Sequence, residues 1–173
     1  MLTLVVIVFC ISVIQLTAAG PEAAAKDKAG NIYYKLTPDE RLHFCCRSDK
    51  VPRTGIPKRC YNVCYYKNIN SKRVLEEVPR CGTDALYYML ACAARFDDHT
   101  QCCRAAGVRH SCLMFCQPSL WVAAGKELPA DVACLEDFEK MKTCFYSFDM
   151  RNPAWMRQEE YAVVSRKMMT TLT

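Results

Sequence analysis

Three histidines, His43, His99 and His110, are all that the 173-residue chain offers to imidazole chemistry. No two stand at the short spacing of a zinc-binding pair, and His110-Ser111 has no partner pattern for a nucleophile and its base. Strand-like alternation of apolar and polar residues is missing over any useful length, which leaves an all-α architecture. Charge is missing from Met1–Ala19, yet the apolar stretch Leu2–Leu16 falls short of the about 18 residues of a membrane span, and no basic stop-transfer flank follows. With the small residues Thr17-Ala18-Ala19 at its end, segment 1–19 reads as a signal peptide cleaved after Ala19, with no stable membrane insertion afterwards.

What the chain has in excess is cysteine: 13 residues, of which Cys10 lies inside the signal segment. The other 12 fall into two sets. Cys45-Cys46 is followed by Cys60, Cys64, Cys81 and Cys92 with gaps of 13, 3, 16 and 10 residues; Cys102-Cys103 is followed by Cys112, Cys116, Cys134 and Cys144 with gaps of 8, 3, 17 and 9. Each set reads CC–C–x3–C–C–C. Flanking residues agree as well: Cys45-Cys46-Arg47 with Cys102-Cys103-Arg104, and Gly55-Ile56 with Gly107-Val108. The pattern implies a small disulfide-rich domain built from a tandem duplication of a six-cysteine helical unit, in an oxidising compartment.

Spacing limits the pairing. Adjacent cysteines cannot easily bond each other, so each doublet reaches two partners. On straight helices Cys112 and Cys116 lie about 6 Å apart and Cys134 and Cys144 about 15 Å apart, while a disulfide holds its Cα atoms about 4.4–6.8 Å apart. The x3 pair therefore cannot bond both ends of an aligned long helix, and one end of that helix most simply meets the doublet. Fifteen pairings remain open in each set, with closure expected mainly within sets.

Along the chain, residues 20–36 are expected to form a flexible leader. Thr37-Pro38-Asp39-Glu40 is a helix start, with Thr37 as cap, Pro38 first in the helix and Glu40 completing a capping box. Pro52, Gly55 and Pro57 mark a loop, and Lys67–Pro79 reads as a polar surface loop. Thr83-Asp84 opens a helix with Leu86, Met89, Leu90 and Ala93 at helical spacing. Pro129 and Asp131 start the strongest helix, with Val132, Leu135, Phe138, Met141 and Phe145 in one stripe. Residues 147–173 are expected to be a loosely ordered tail, in which any helix would run from Ala154 to about Lys167. The domain proper spans 37–146, in copies at about 37–92 and 97–146.

Two CC–C–x3–C–C–C sets in tandem, with Cys102-Cys103-Arg104 and Gly107-Val108 leading to Cys112-x3-Cys116, resemble the DB module, a nematode extracellular domain of twelve cysteines. The resemblance covers Cys45–Cys144 and implies six bridges. It also implies extracellular surfaces shared with immunoglobulin and fibronectin type III domains. The family has no established catalytic residues, so the resemblance supplies none, and no cofactor or metal is expected. Asp98-His99 precedes Cys102-Cys103, the reverse of the order that secreted phospholipase A2 requires, and the glycine-rich calcium loop is missing.

The net charge of +5 is uneven: Cys45–Cys92 holds nine Lys/Arg against four Asp/Glu, and Cys102–Cys144 five against five. An acidic extracellular partner suits that half, whereas nucleic acid does not suit a secreted disulfide-rich chain. The expected binding face is the basic and aromatic group Lys58, Arg59, Tyr61, Tyr65, Tyr66, Lys67, Lys72 and Arg73, because tyrosine and arginine are enriched at binding hot spots. The same tyrosines packing beneath loops is the competing expectation. The functional expectation is a secreted, non-enzymatic module that binds an extracellular protein such as a receptor or adhesion ectodomain. The alternative is an extracellular carrier of a lipid or small apolar ligand.

Overall fold

The computed structural model describes residues 23–26, 28–48, 56–118 and 132–157. Its contacts divide the chain into a flanking unit, Met1–Lys35 with Trp155–Thr173, and a central unit, Leu36–Ala154. The expected signal peptide, Pro52 and Gly55 of the expected loop, and Pro129 and Asp131 at the expected start of the strongest helix lie outside the described residues.

The flanking unit carries short strands where a flexible leader and a tail helix were expected. Strand β1 (Ala23–Lys26) runs antiparallel to β2 (Ile32–Leu36), with Ala25 opposite Tyr33 and Lys26 opposite Ile32. Gly30, at φ +83°, sits in the turn between them, a left-handed conformation that favours glycine. Strand β3 (Ala154–Arg157) lies on the other side of β2. Strands of four or five residues that leave Ala25, Lys26 and Lys35 exposed carry too little alternation to be read from sequence.

The central unit is helical. Helix α1 (Pro38–Arg47) starts as its residues dictate: Thr37 Oγ1 accepts from the Glu40 N–H at 3.2 Å, and Glu40 Oε2 accepts from the Thr37 N–H at 2.9 Å. A 3-10 segment (Lys58–Val63) then carries Cys60 and leads to Cys64. The stretch expected as a surface loop instead contains α2 (Ser71–Cys81). Asn70 Oδ1 caps it by accepting from the Arg73 N–H at 2.8 Å, and Val74, Glu77 and Cys81 form its buried face. Pro79 lies inside the helix, two residues before its end.

Gly82, at φ +81°, is the single residue between α2 and α3 (Thr83–Ala93). Arg95 and Phe96 close α3 at φ 56° and 60°, where the Phe96 N–H reaches Ala91 O at 2.9 Å. Non-glycine residues rarely adopt that conformation. Arg95 is held there by donating to Asn152 O at 2.6 Å and by lying 5.6 Å above the Phe148 ring.

In the second half, α4 (Thr100–Ala105) ends conventionally on Gly107, at φ +76°, with the Val108 N–H bonded to Cys103 O. A second 3-10 segment (His110–Cys116) follows. The expected long helix is broken: Val132–Asp137 is a third 3-10 segment, and α5 (Phe138–Arg151) begins only at Phe138. The two cysteines of this stretch are bonded to different partners. Cys134 meets Cys112 at a Cα separation of 5.5 Å while Cys144 meets Cys102 at 5.9 Å, and one straight helix would hold Cys134 and Cys144 about 15 Å apart along a fixed axis. Helix α5 also carries order past residue 147, where a loose tail was expected, and Ala154–Arg157 is strand rather than helix.

All twelve cysteines from 45 to 144 are paired. The bonds are Cys45–Cys92, Cys46–Cys64 and Cys60–Cys81 in the first half, and Cys102–Cys144, Cys103–Cys116 and Cys112–Cys134 in the second. Numbering each set one to six, both halves join 1–6, 2–4 and 3–5. The core fills the space among these bonds with Leu42, Val63, Met89, Phe138, Met141 and Phe145.

Candidate functional site

The sequence-predicted face is built where α1 meets the first 3-10 segment. His43, buried on α1, stacks on Tyr65 at a centroid distance of 4.5 Å and meets Tyr61 edge-on at 6.0 Å. Arg47, one helical turn further on, lies 5.4 Å over the Tyr61 ring, and its Nη1 is 3.4 Å from His43 Nε2. Lys67 Nζ lies 5.7 Å from the Tyr65 ring centre. Cations therefore flank a three-ring stack whose tyrosines are half-buried.

Burial, reinforced by the Arg47 charge, lowers the His43 pKa, so the ring is neutral at pH 7 and accepts from Arg47. Burial raises the Tyr65 pKa, with Arg47 opposing and Asp39 adding to the shift, so it stays a phenol. His43 and Arg47 complete the stack, and sequence reasoning left both out of the face. The available signal was their i, i+4 spacing on α1.

Tyr66 departs from the expectation and belongs to the core. Its side chain is buried, and its hydroxyl donates to Ala93 O at 2.7 Å and lies 2.9 Å from Asp149 Oδ2. The same carboxylate oxygen takes Arg41 Nη2 at 2.5 Å, while Arg41 also donates to Cys92 O at 2.8 Å and Ala93 O at 3.2 Å. This buried cluster joins α1 and the end of α3 to α5, and so the first half to the second. Burial pushes the Tyr66 pKa far up, with the Asp149 charge adding to it. Burial also raises the Asp149 pKa, against the pull of Arg41, Tyr66 and Arg95.

The remaining candidates divide. Lys58, Arg59 and Lys67 are exposed, with Arg59 Nε bonded to Arg80 O at 2.8 Å. Lys72 and Arg73 lie on α2, where they face carboxylates of their own helix: Lys72 is 3.9 Å from Glu76 and Arg73 3.5 Å from Glu77. Glu77 is buried and also receives Arg80 and the Asn62 amide. Part of the first half's positive charge is thus balanced within α2.

In the second half, Asp137 takes Arg109 Nε at 2.7 Å and Lys140 Nζ at 2.6 Å. The hydrogen bond from Lys140, then those from Arg109, hold its pKa well below the usual carboxylate range. His99 is buried, with Nε2 2.8 Å from Ala94 O and its ring edge-on to Phe145 and Phe148, whereas His110 is exposed. Among the described residues, no group of three or more His, Cys, Asp or Glu is placed to hold a metal ion, and no helix is long and apolar enough to cross a membrane.

Compared with known families, residues 45–145 match the DB module, a span that includes all twelve paired cysteines. No curated protein and no solved structure matches the chain.

Proposed function

Because the chain belongs to the DB module family, a disulfide-rich domain of extracellular type, we propose that it is a secreted, non-enzymatic module that binds an extracellular protein. The binding face consists of Tyr61, Tyr65 and Lys67 with Arg47, continued by Lys58 and Arg59. The partner is an acidic surface on a cell-surface ectodomain, of which the immunoglobulin type is the first to test. The observation that carries this reading is the ring stack. Two half-buried tyrosines are fixed by His43 beneath and cations above, on a segment whose Cys60 and Cys64 are bonded to Cys81 and Cys46. Such a face loses little side-chain entropy on binding, and aromatic rings ringed by cations suit an acidic, partly apolar epitope.

The test is a screen of the purified oxidised protein against an array of cell-surface ectodomains, run beside Tyr65→Ala and Lys67→Glu. The expected result is a partner whose signal both variants weaken. Lys67 is exposed, so its reversal leaves the fold intact even if Tyr65→Ala does not. A partner that binds Lys67→Glu and a folded Tyr65→Ala as strongly as the native protein contradicts the assignment of this face.

A further inference from the structure

Away from that face, an apolar cleft of about 230 Å³ opens between α2, α3 and α5. Its floor is Met89, Phe138 and Met141, all buried, and its exposed rim is Leu75, Pro79 and Thr83. Among the described residues no charged side chain lines it, and the polar side-chain groups in the lining are the Thr83 hydroxyl and the Tyr87 phenol. Protein interiors ordinarily close such space by small shifts of their elements. Here the walls are tethered. Cys81 ends α2 in a bond to Cys60, and the lining residue Cys134 is bonded to Cys112. Gly82 alone joins α2 to α3.

We propose that this cleft is a binding site for an uncharged hydrocarbon, either a compact apolar molecule or the end of an aliphatic chain whose polar end stays at the Leu75–Thr83 rim. The lining excludes other classes. A charge inside it would lose its hydration with no compensating partner, and a peptide segment would bring backbone N–H and C=O groups that the lining cannot satisfy. Size sets the occupant. A dry cavity of about 150 Å³ takes benzene, so about 230 Å³ takes roughly nine heavy atoms, and a longer ligand must protrude. This site is independent of the protein-binding face, and either can fail without the other.

The test titrates the oxidised full chain, carrying ¹³C-methyl methionine, with 1-nonanol, camphor and lysophosphatidylcholine. N-phenyl-1-naphthylamine serves as the fluorescent probe to be displaced. The Met89 and Met141 methyl signals should shift, whereas Met114 and Met150, exposed and outside the lining, should not. Displacement by camphor alone identifies a compact molecule as the occupant, and displacement by nonanol and the lysolipid the end of an aliphatic chain. Leu75→Asp removes an apolar contact at the rim and sets a hydrated carboxylate against any bound hydrocarbon; it should weaken binding about tenfold, and the exposure of the position leaves the fold undisturbed. Leu86→Trp should fill the cleft, and its folding is checked by thermal melting. The proposal is overturned if none of the three compounds shifts Met89 or Met141, or if Leu75→Asp binds as tightly as the native chain.

Discussion

Replacing Asp149 with Leu tests the contact that joins the two halves. The substitution leaves the Arg41 guanidinium, about one-tenth exposed, without its counter-ion. Stranding one member of a buried pair costs about 3–5 kcal/mol. At about 4 °C per kcal/mol, a value suited to a domain of this size, melting should fall by roughly 12–20 °C. The double variant Arg41→Met/Asp149→Leu should behave differently. Without Arg41, Ala93 O keeps the Tyr66 hydroxyl at 2.7 Å and Cys92 O keeps the Arg95 N–H at 3.2 Å, so neither carbonyl is orphaned. Apolar side chains of similar volume then occupy the site with no uncompensated charge, and the net loss should be under about 2 kcal/mol. Guanidinium melts under non-reducing conditions measure all four corners of the cycle. Single-variant losses that simply add in the double variant, to within about 0.5 kcal/mol, would refute the reasoning that the two groups form one buried unit.

Three further outcomes follow from the same geometry. Thiol counting on the denatured, unreduced chain from which Met1–Ala19 has been cleaved should return zero, and peptide mapping should recover Cys45–Cys92 and Cys102–Cys144 as equivalent bonds; two or more reactive thiols contradict the six-bridge framework. The His43 pKa is lowered in the fold, so the unfolded chain takes up its proton first; stability should therefore decline as pH drops below about 6.5. His43→Gln should remove much of that decline in denaturant melts at pH 7.5 and 5, and an unchanged decline counts against a desolvated ring. Asp137, with its pKa also depressed, contributes stability that is present above about pH 4 and lost as acid protonates it. Asp137→Asn should make the acid limb of the stability profile shallower, and a limb of unaltered slope speaks against the Arg109–Asp137–Lys140 cluster.

What the sequence disclosed was the information that lies in spacing. The Thr37–Glu40 box, the helix from Thr83 and the twelve bonded cysteines are local or periodic signals, and each appears in the fold. The doublet did take two partners, and the distal cysteine of each set, Cys92 or Cys144, bonds the first of its doublet. Helix α2 was missed because Pro79 and a run of charged residues obscured an amphipathic face that, among the described side chains, buries Val74, Glu77 and Cys81. Tyr66 was misplaced because three tyrosines in six residues look alike in sequence. Its distant partners Asp149, Arg41 and Ala93 O meet it only in the fold. The partners of Cys134 and Cys144, Cys112 and Cys102, were likewise left open by spacing alone. The identical 1–6, 2–4, 3–5 linkage in both halves is what a duplicated unit requires, and superposition of the halves in an experimental structure is its test.

The most direct measurement of the central claim is the association rate with the ectodomain that gives the strongest signal in the array, for the native protein and Lys58→Glu/Arg59→Glu, across a range of salt. Both side chains are exposed, so the reversal removes no core contact. If this face meets an acidic partner, the variant associates more slowly at low salt and the difference narrows as salt screens the charges. Equal association rates at low salt would place the binding surface elsewhere on the molecule.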